Sequence, residues 1–184
     1  MYDLSLLHSH GKDVYISEDV TIKRPHLADI GSHVAIDSYF YCTTQLIIGS
    51  WAHIAPHASV IGGEEVSFVV GSFCTVAAGC RILCASDDFG GIGLVTTPGI
   101  PREFLNLVNF GSVRMQNFSS LASNVVVEPG VIIGEGAVVG ANSYVNKHVP
   151  PWTVWVGSPI RFLKLRPSTA MKRYAENLMN LEEQ

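Results

Sequence analysis

Aliphatic side chains recur at every sixth residue over most of this chain, and that spacing restricts its fold more than any other feature. Ile30, Ile36, Cys42, Ile48, Ile54 and Val60 form one run, with Cys42 as a small apolar substitute. Val70, Val76 and Ile82 form a second, and Leu121, Val127, Ile133, Val139 and Val145 a third. An α-helix needs a period near 3.6 and a plain alternating strand a period of two, so neither explains a beat of six. Four residues after many of these positions stands another inward-compatible residue, mostly small: Val34, Ala52, Ala58, Cys74, Cys80, Val125, Val131, Ala137 and Ser143. Glycine often follows the aliphatic residue, as in Ile30-Gly31, Ile48-Gly49, Val70-Gly71, Ile133-Gly134 and Val139-Gly140.

A six-residue unit makes one short strand and one corner, with glycine, asparagine or aspartate relieving strain where the backbone turns. Three units close a triangular coil, and stacked coils bury a continuous apolar column, as solenoids do. An ordinary antiparallel β-sandwich would need the six-residue spacing to arise by coincidence in all three blocks.

The phase of the beat breaks twice. Ten residues separate Val60 from Val70, which places a small offset at Gly62-Gly63-Glu64-Glu65. Between Ile82 and Leu121 lies a larger interruption, carrying Asp87-Asp88-Phe89-Gly90-Gly91 and then Pro98, Pro101 and Arg102. Such turn-rich composition cannot continue a coil, and long loops in compact domains tend to be functional. The reading is therefore a solenoid domain over 1–166 with a loop insertion at about 87–112. Pro150-Pro151 removes two backbone donors and is expected to end the solenoid. Beyond it, 168–181 reads as an amphipathic helix within a 167–184 tail, with Ser168 as N-cap candidate and Met171, Tyr174, Leu178 and Leu181 on one side.

With these repeats, the chain resembles the hexapeptide-repeat acyltransferases over roughly 14–166, especially those of nucleotide-sugar and surface-polysaccharide synthesis. The resemblance implies an all-β, left-handed parallel β-helix with a protruding loop and a short C-terminal α-helix. It also implies a homotrimer with active sites between neighbours. Tyr39, Trp51, Phe68 and Phe73 are expected to face outward, and exposed aromatics at that density suit a subunit interface.

Composition narrows the function further. Hydrophobic residues make up 47% and charged residues 15%, so the chain can bury enough apolar surface to order itself. A formal net charge of −4 gives no general attraction to nucleic acid or to an anionic membrane. Residues 1–10 lack the features of a signal peptide, and no apolar run approaches the length of a membrane span, so a cytoplasmic protein is expected. Cys42, Cys74, Cys80 and Cys84 form no CxxC pair and sit in strand-like segments, as buried free thiols do. One local exception to the acidic balance matters: Arg161, Lys164, Arg166, Lys172 and Arg173 fall in a stretch without an acid.

The segment Gly140-Ala141-Asn142-Ser143-Tyr144-Val145-Asn146-Lys147, continued by Pro150-Pro151-Trp152 and Gly157-Ser158-Pro159-Ile160-Arg161, resembles the terminal coil and exit loop that line the coenzyme A groove of this family. Small residues let a pantetheine arm approach backbone amides, and cations meet phosphates. The resemblance assigns Ala141 to the arm, and Asn146, Lys147, Arg161 and Lys164 to the nucleotide end of acetyl-CoA, with Arg166 as a further candidate. The family often has an acid where this chain has His148.

A thioester is already activated, so transfer needs a positioned acceptor, removal of its proton and donors for the developing oxyanion. His53 and His57 lie in Ile48-Gly49-Ser50-Trp51-Ala52-His53-Ile54-Ala55-Pro56-His57, which resembles the family segment before the first loop. His53 is expected at a corner of the coil, and the acceptor under the 87–112 loop nearby. Asp87 and Asp88 match the acidic pair that opens the active-site loop in the sugar branch. Many relatives carry a histidine in the stretch corresponding to 86–90, whereas here none occurs from 58 to 147. That absence favours an amine over a hydroxyl acceptor on a sugar or nucleotide-linked sugar. No metal is expected in this reading. Two other readings use the same coil: a zinc hydratase of the carbonic anhydrase type drawing on His33, His53 and His57, and a non-catalytic trimeric scaffold.

Overall fold

The structure, a computed structural model, describes residues 1–182. Its strands are two to five residues long and stack into three parallel sheets, which are the faces of a left-handed three-sided column. The first face is built in order from Ser9–His10, Ala28–Ile30, Gln45–Ile48, Ser67–Val70, Val113–Met115 and Ile132–Ile133. The second holds Val14–Ile16, Val34–Ile36, His53–Ile54, Thr75–Val76, Ser120–Leu121, Val138–Val139 and Thr153–Val156. The third holds Thr21–Ile22, Tyr41–Cys42, Ser59–Ile61, Arg81–Leu83, Val126–Val127 and Tyr144–Val145.

The register converts the six-residue beat into geometry. Ile30 pairs with Ile48 and Met115 with Ile133, each eighteen positions apart, so three units make one turn. All fourteen beat positions are at most 3% exposed. The beat also extends beyond the runs read from sequence. Ile16, Ile22 and Met115 are buried members hidden by a short 3₁₀ turn at Pro25–Leu27 and by the long loop.

Between Ile48 and Val70 the step is twenty-two, and between Val70 and Met115 it is forty-five. The extra residues leave the column at the same place, where the third face hands over to the first. The longer insertion begins as an antiparallel pair, Ala85–Asp87 with Val108–Phe110.

Phe68 corrects the sequence reading, because it is fully buried rather than outward. It stands two residues before Val70, as Leu46 stands two before Ile48, and alternation points both inward. The offset at 62–65 had concealed that equivalence. Pro150-Pro151 does not end the column either. The pair occupies a corner, where the ladder needs no donor, and Thr153–Val156 then adds a strand to the second face. Arg161–Leu165 returns antiparallel against it. A 14-residue helix, Thr169–Glu182, follows.

Candidate active site

Each coil turns at corners that demand a left-handed backbone conformation, and side chains at equivalent turns line up along the column. At the first corner, between the first and second faces, His33, Trp51, Phe73, Phe118 and Trp152 all have positive φ. Their rings stack at centroid distances of 5.3, 4.9 and 5.1 Å up to Phe118, with Trp152 tilted at 6.0 Å. The C-terminal helix covers this ladder, with Met171, Tyr174, Ala175 and Leu178 facing Phe73 and Phe118 across a 260 Å³ crevice. Lys172 pairs with Glu135 at 3.0 Å, and Glu182 takes contacts from Lys12 and from His33 Nε2. The first corner is thus closed, and His33 is engaged there by Glu182 and the Trp51 ring.

The second corner, between the second and third faces, has no helix over it among the described residues. Its left-handed positions are Tyr39, His57, Gly79, Asn124 and Asn142. Beside them runs a strip of mostly small residues: Ala55, Ala77, Ala122 and Gly140 at the edge of the second face, and Ser38, Pro56, Ala78, Ser123 and Ala141 in the turns. The strip begins at the candidate Ala141 and leads down to His57. Neighbouring coils lie ~4.8 Å apart, so the three steps from Asn142 to His57 span roughly 14 Å.

Above this strip lies the exit segment. Lys147 Nζ sits 5.2 Å from the Trp155 ring, and Phe162 meets that ring edge-on at 6.0 Å. Asn146, Lys147, Arg161 and Lys164 are all exposed. Ser143 Oγ donates to the Gly140 carbonyl at 2.7 Å and accepts from Gly157 N at 2.9 Å, which fixes the exit turn against the terminal coil. Arg166 departs from expectation. Its guanidinium donates to the carbonyls of Phe118 and Gly136 at 2.9 and 2.8 Å, fastening the exit strand to the first corner. A phosphate would have to break both bonds to recruit it.

The two candidate histidines have different surroundings. His53 projects from the second face, and its Nε2 lies 2.8 Å from Asp37 Oδ2 on the coil below. This contact orients the ring and leaves Nδ1 available. Asp37 was not legible as a site residue, because its partner is sixteen positions away and depends on coil register. His57 lies flat on Tyr39 at 4.9 Å and 14°. Its carbonyl accepts from Arg81, which also donates to Gly79 at 3.0 Å.

Asp87 and Asp88 stand elsewhere. Asp87 Oδ1 accepts from the Thr96 amide at 3.0 Å and from the Thr96 hydroxyl at 2.6 Å. Asp88 Oδ1 accepts from Gly90 N at 2.8 Å, and its carbonyl accepts from the Asn106 side chain. Their loop leaves the column at the corner opposite the second face. Within one chain the loop therefore stands apart from the face that bears His53. The outer part of the loop carries exposed Phe89, Ile92, Leu94, Phe104 and Leu107.

Comparison with known proteins gives consistent results. The bacterial transferase hexapeptide (six repeats) family pattern matches residues 112–147. A crystal structure of a mutant of AntD, an N-acyltransferase from Bacillus cereus, in complex with dTDP-4-amino-4,6-dideoxyglucose and coenzyme A, is 32% identical with a TM-score of 0.88. The match covers 95% of this chain and 91% of that one. The dTDP-4-amino-4,6-dideoxy-D-glucose acyltransferase of Escherichia coli is 27% identical over 83% of this chain and 79% of its own length. A putative lipopolysaccharide biosynthesis O-acetyl transferase, WbbJ of Escherichia coli, is 29% identical over 82% of this chain and 74% of its own length. With the six-residue column, the small-residue corner and these relatives together, the chain belongs to the hexapeptide-repeat acyltransferase family.

Proposed function

We propose that the protein transfers an acetyl or related short acyl group from acyl-CoA to the amino group of a nucleotide-linked sugar. The observation that carries this reading is the second corner. Among the described residues it runs without a helix over it from Ala141 to the level of His53 and His57, with the exposed cations of the exit segment at its upper end. Small side chains admit a pantetheine arm close to the backbone, and Lys147, Arg161 and Lys164, with Asn146, suit a phosphorylated nucleotide. AntD and the Escherichia coli acyltransferase, both named for amino-sugar chemistry, favour a nitrogen acceptor.

In this reading the acceptor nitrogen attacks the thioester carbonyl, the C–N bond forms and the C–S bond breaks. His53, held by Asp37, takes the proton that the nitrogen loses, and the departing sulfur leaves as thiolate to be protonated from solvent. Asp87 and Asp88 of a neighbouring copy hold the acceptor, since their loop projects away from their own second face. The apolar residues on that loop fit burial against a neighbour, and the assembly is a homotrimer. The enzyme works in the cytoplasm, where acyl-CoA and nucleotide sugars are made. No helix among the described residues is long and apolar enough to cross a membrane.

Acetyl-CoA is expected to raise the melting temperature in a concentration-dependent way, because it binds the native state alone. A panel of nucleotide-linked amino sugars, assayed for free thiol release, then identifies the acceptor. His53→Ala is expected to lower turnover with cofactor affinity nearly intact, and Arg161→Ala to weaken cofactor binding chiefly. A flat acetyl-CoA titration and no thiol release from any sugar would remove the proposal.

A further inference from the structure

The C-terminal helix is fastened to the column at its two ends and packed loosely between them. Near its start, Lys172 pairs with Glu135 at 3.0 Å and lies 5.2 Å from the Trp152 ring. Near its end, about 15 Å further along the helix axis, Glu182 meets Lys12 and the His33 imidazole. Of the residues in Thr169–Glu182, only Ala175 is buried. Crevices of 260 and 280 Å³ flank it, one against Phe73 and Phe118 and the other reaching Trp51 and Ser72. A short helix with so little apolar burial owes a large share of its hold to the polar contacts at its ends.

At the far end, His33 has a carboxylate at each ring nitrogen. Nε2 lies 3.0 Å from Glu182 Oε2 on the helix, and Nδ1 lies 3.3 Å from Asp13 Oδ2 on the turn below. The ring is stacked on Trp51 at 5.3 Å, and the His33 amide donates to the Lys12 carbonyl at 2.9 Å, so both the ring plane and its backbone are fixed. A neutral imidazole carries one N–H and one lone pair, and either tautomer would set the lone pair against an oxyanion. Only the imidazolium offers a proton to both sides. The charges agree with this. Lys12 and a protonated His33 balance Asp13 and Glu182, whereas a neutral ring leaves one cation against two anions.

We propose that His33 is a proton-operated latch: while protonated it clasps the C-terminal helix over the first corner, and on losing its proton it lets the end of the helix lift from the aromatic ladder. Between about pH 5 and pH 8 carboxylates and ammonium groups ordinarily keep their charge and an imidazole does not, so the ring is the member of this cluster that can switch there. The hold is complete on the acid side of that range and weakens as pH rises. Lifting bares the rings of Trp51 and Phe73 together with Leu178 and Met179 of the helix, which face them across the two crevices. The latch does not depend on the acyltransferase reading.

Amide exchange of the full chain from about pH 5 to pH 8, taken as protection relative to intrinsic exchange at each pH, tests the latch. Thr169–Glu182 is expected to lose protection by roughly 2- to 10-fold as pH rises, the effect of one hydrogen bond, while the strands Val34–Ile36 and His53–Ile54 keep theirs. Proton resonances of the His33 ring should titrate at the pH where that protection falls. His33→Asn suits the left-handed backbone of this corner, with φ of +57°, and is expected to give low helix protection that no longer varies over the range. Asp13→Asn, also at a left-handed position, puts an amide donor beside Nδ1, so that a neutral ring can still donate to Glu182. Its helix is expected to stay protected to higher pH, and it replaces the histidine variant should that one fail to fold. Constant helix protection in the wild type overturns the latch. So does a fall that persists in His33→Asn, that is unaltered in Asp13→Asn, or that occurs at a pH other than that of the ring's own titration.

Discussion

Gly136 and Gly130 offer a controlled perturbation of the corners. Both have left-handed backbones, with φ of +64° and +78°. Alanine at Gly130 would find nothing within 4 Å, whereas at Gly136 its Cβ would fall against ring carbons of Trp152, the second nearest at 2.5 Å. Gly130→Ala therefore carries the conformational cost alone, about 1 kcal/mol once the stiffer unfolded chain is counted. Gly136→Ala adds overpacking, typically ~1–3 kcal/mol, because the indole must leave its place between the Gly136 turn and Lys172. Urea unfolding at one protein concentration reads the difference as a lower midpoint for Gly136→Ala at an unchanged slope. Equal midpoints for the two variants would show that Trp152 is not packed on this corner, and the account of a sealed first ladder would fail with it.

Other expectations follow from the same geometry. Phe68→Ala should destabilise by about 3–5 kcal/mol, as for other fully buried aromatics, and a loss near zero in urea melts would mean that the ring faces outward after all. Burial pushes the Cys42 thiol up to about 12 and that of Cys84 to about 11, so neither should react with a thiol reagent at pH 8 until the protein is unfolded. Hydrogen bonding to Lys12 and then to His33 holds the Glu182 carboxyl below its usual range, and the same contact to Glu182 holds Lys12 above its own. The carboxylate's contribution is present above its unfolded value of about 4.3 and is lost as pH falls through the lower folded value. The ammonium's contribution is present below about 10.4 and is lost as pH rises through the higher folded value. Amide protection in Thr169–Glu182, taken relative to intrinsic exchange at each pH, should accordingly fall at both extremes, and equal protection factors at pH 3 and pH 6 would contradict the clasp.

What the amino-acid sequence determined alone is the column. A six-residue beat dictates which side chains point inward, because alternation within a strand and a turn after it leave no other way to bury Ile54, Val76 and Leu121 together. Periodicity also exposed the two insertions as breaks in phase, and the family resemblance pointed to Ala141 and the exit-segment cations as the place to look for coenzyme A. Phe68 escaped because four extra residues shifted the count ahead of it, and the first coil escaped because the Pro25–Leu27 turn did the same. Only the tertiary structure decided which residues meet across coils: Asp37 with His53, His57 with Tyr39, and Arg166 with the Phe118 and Gly136 carbonyls. It also decided that one corner is covered by a helix while another stays open, and that the loop with Asp87 and Asp88 lies opposite the face that bears His53. The physical reason is that a local period prescribes direction within a coil, whereas contacts between coils depend on the summed length of everything inserted between them and on where the chain's tail comes to rest.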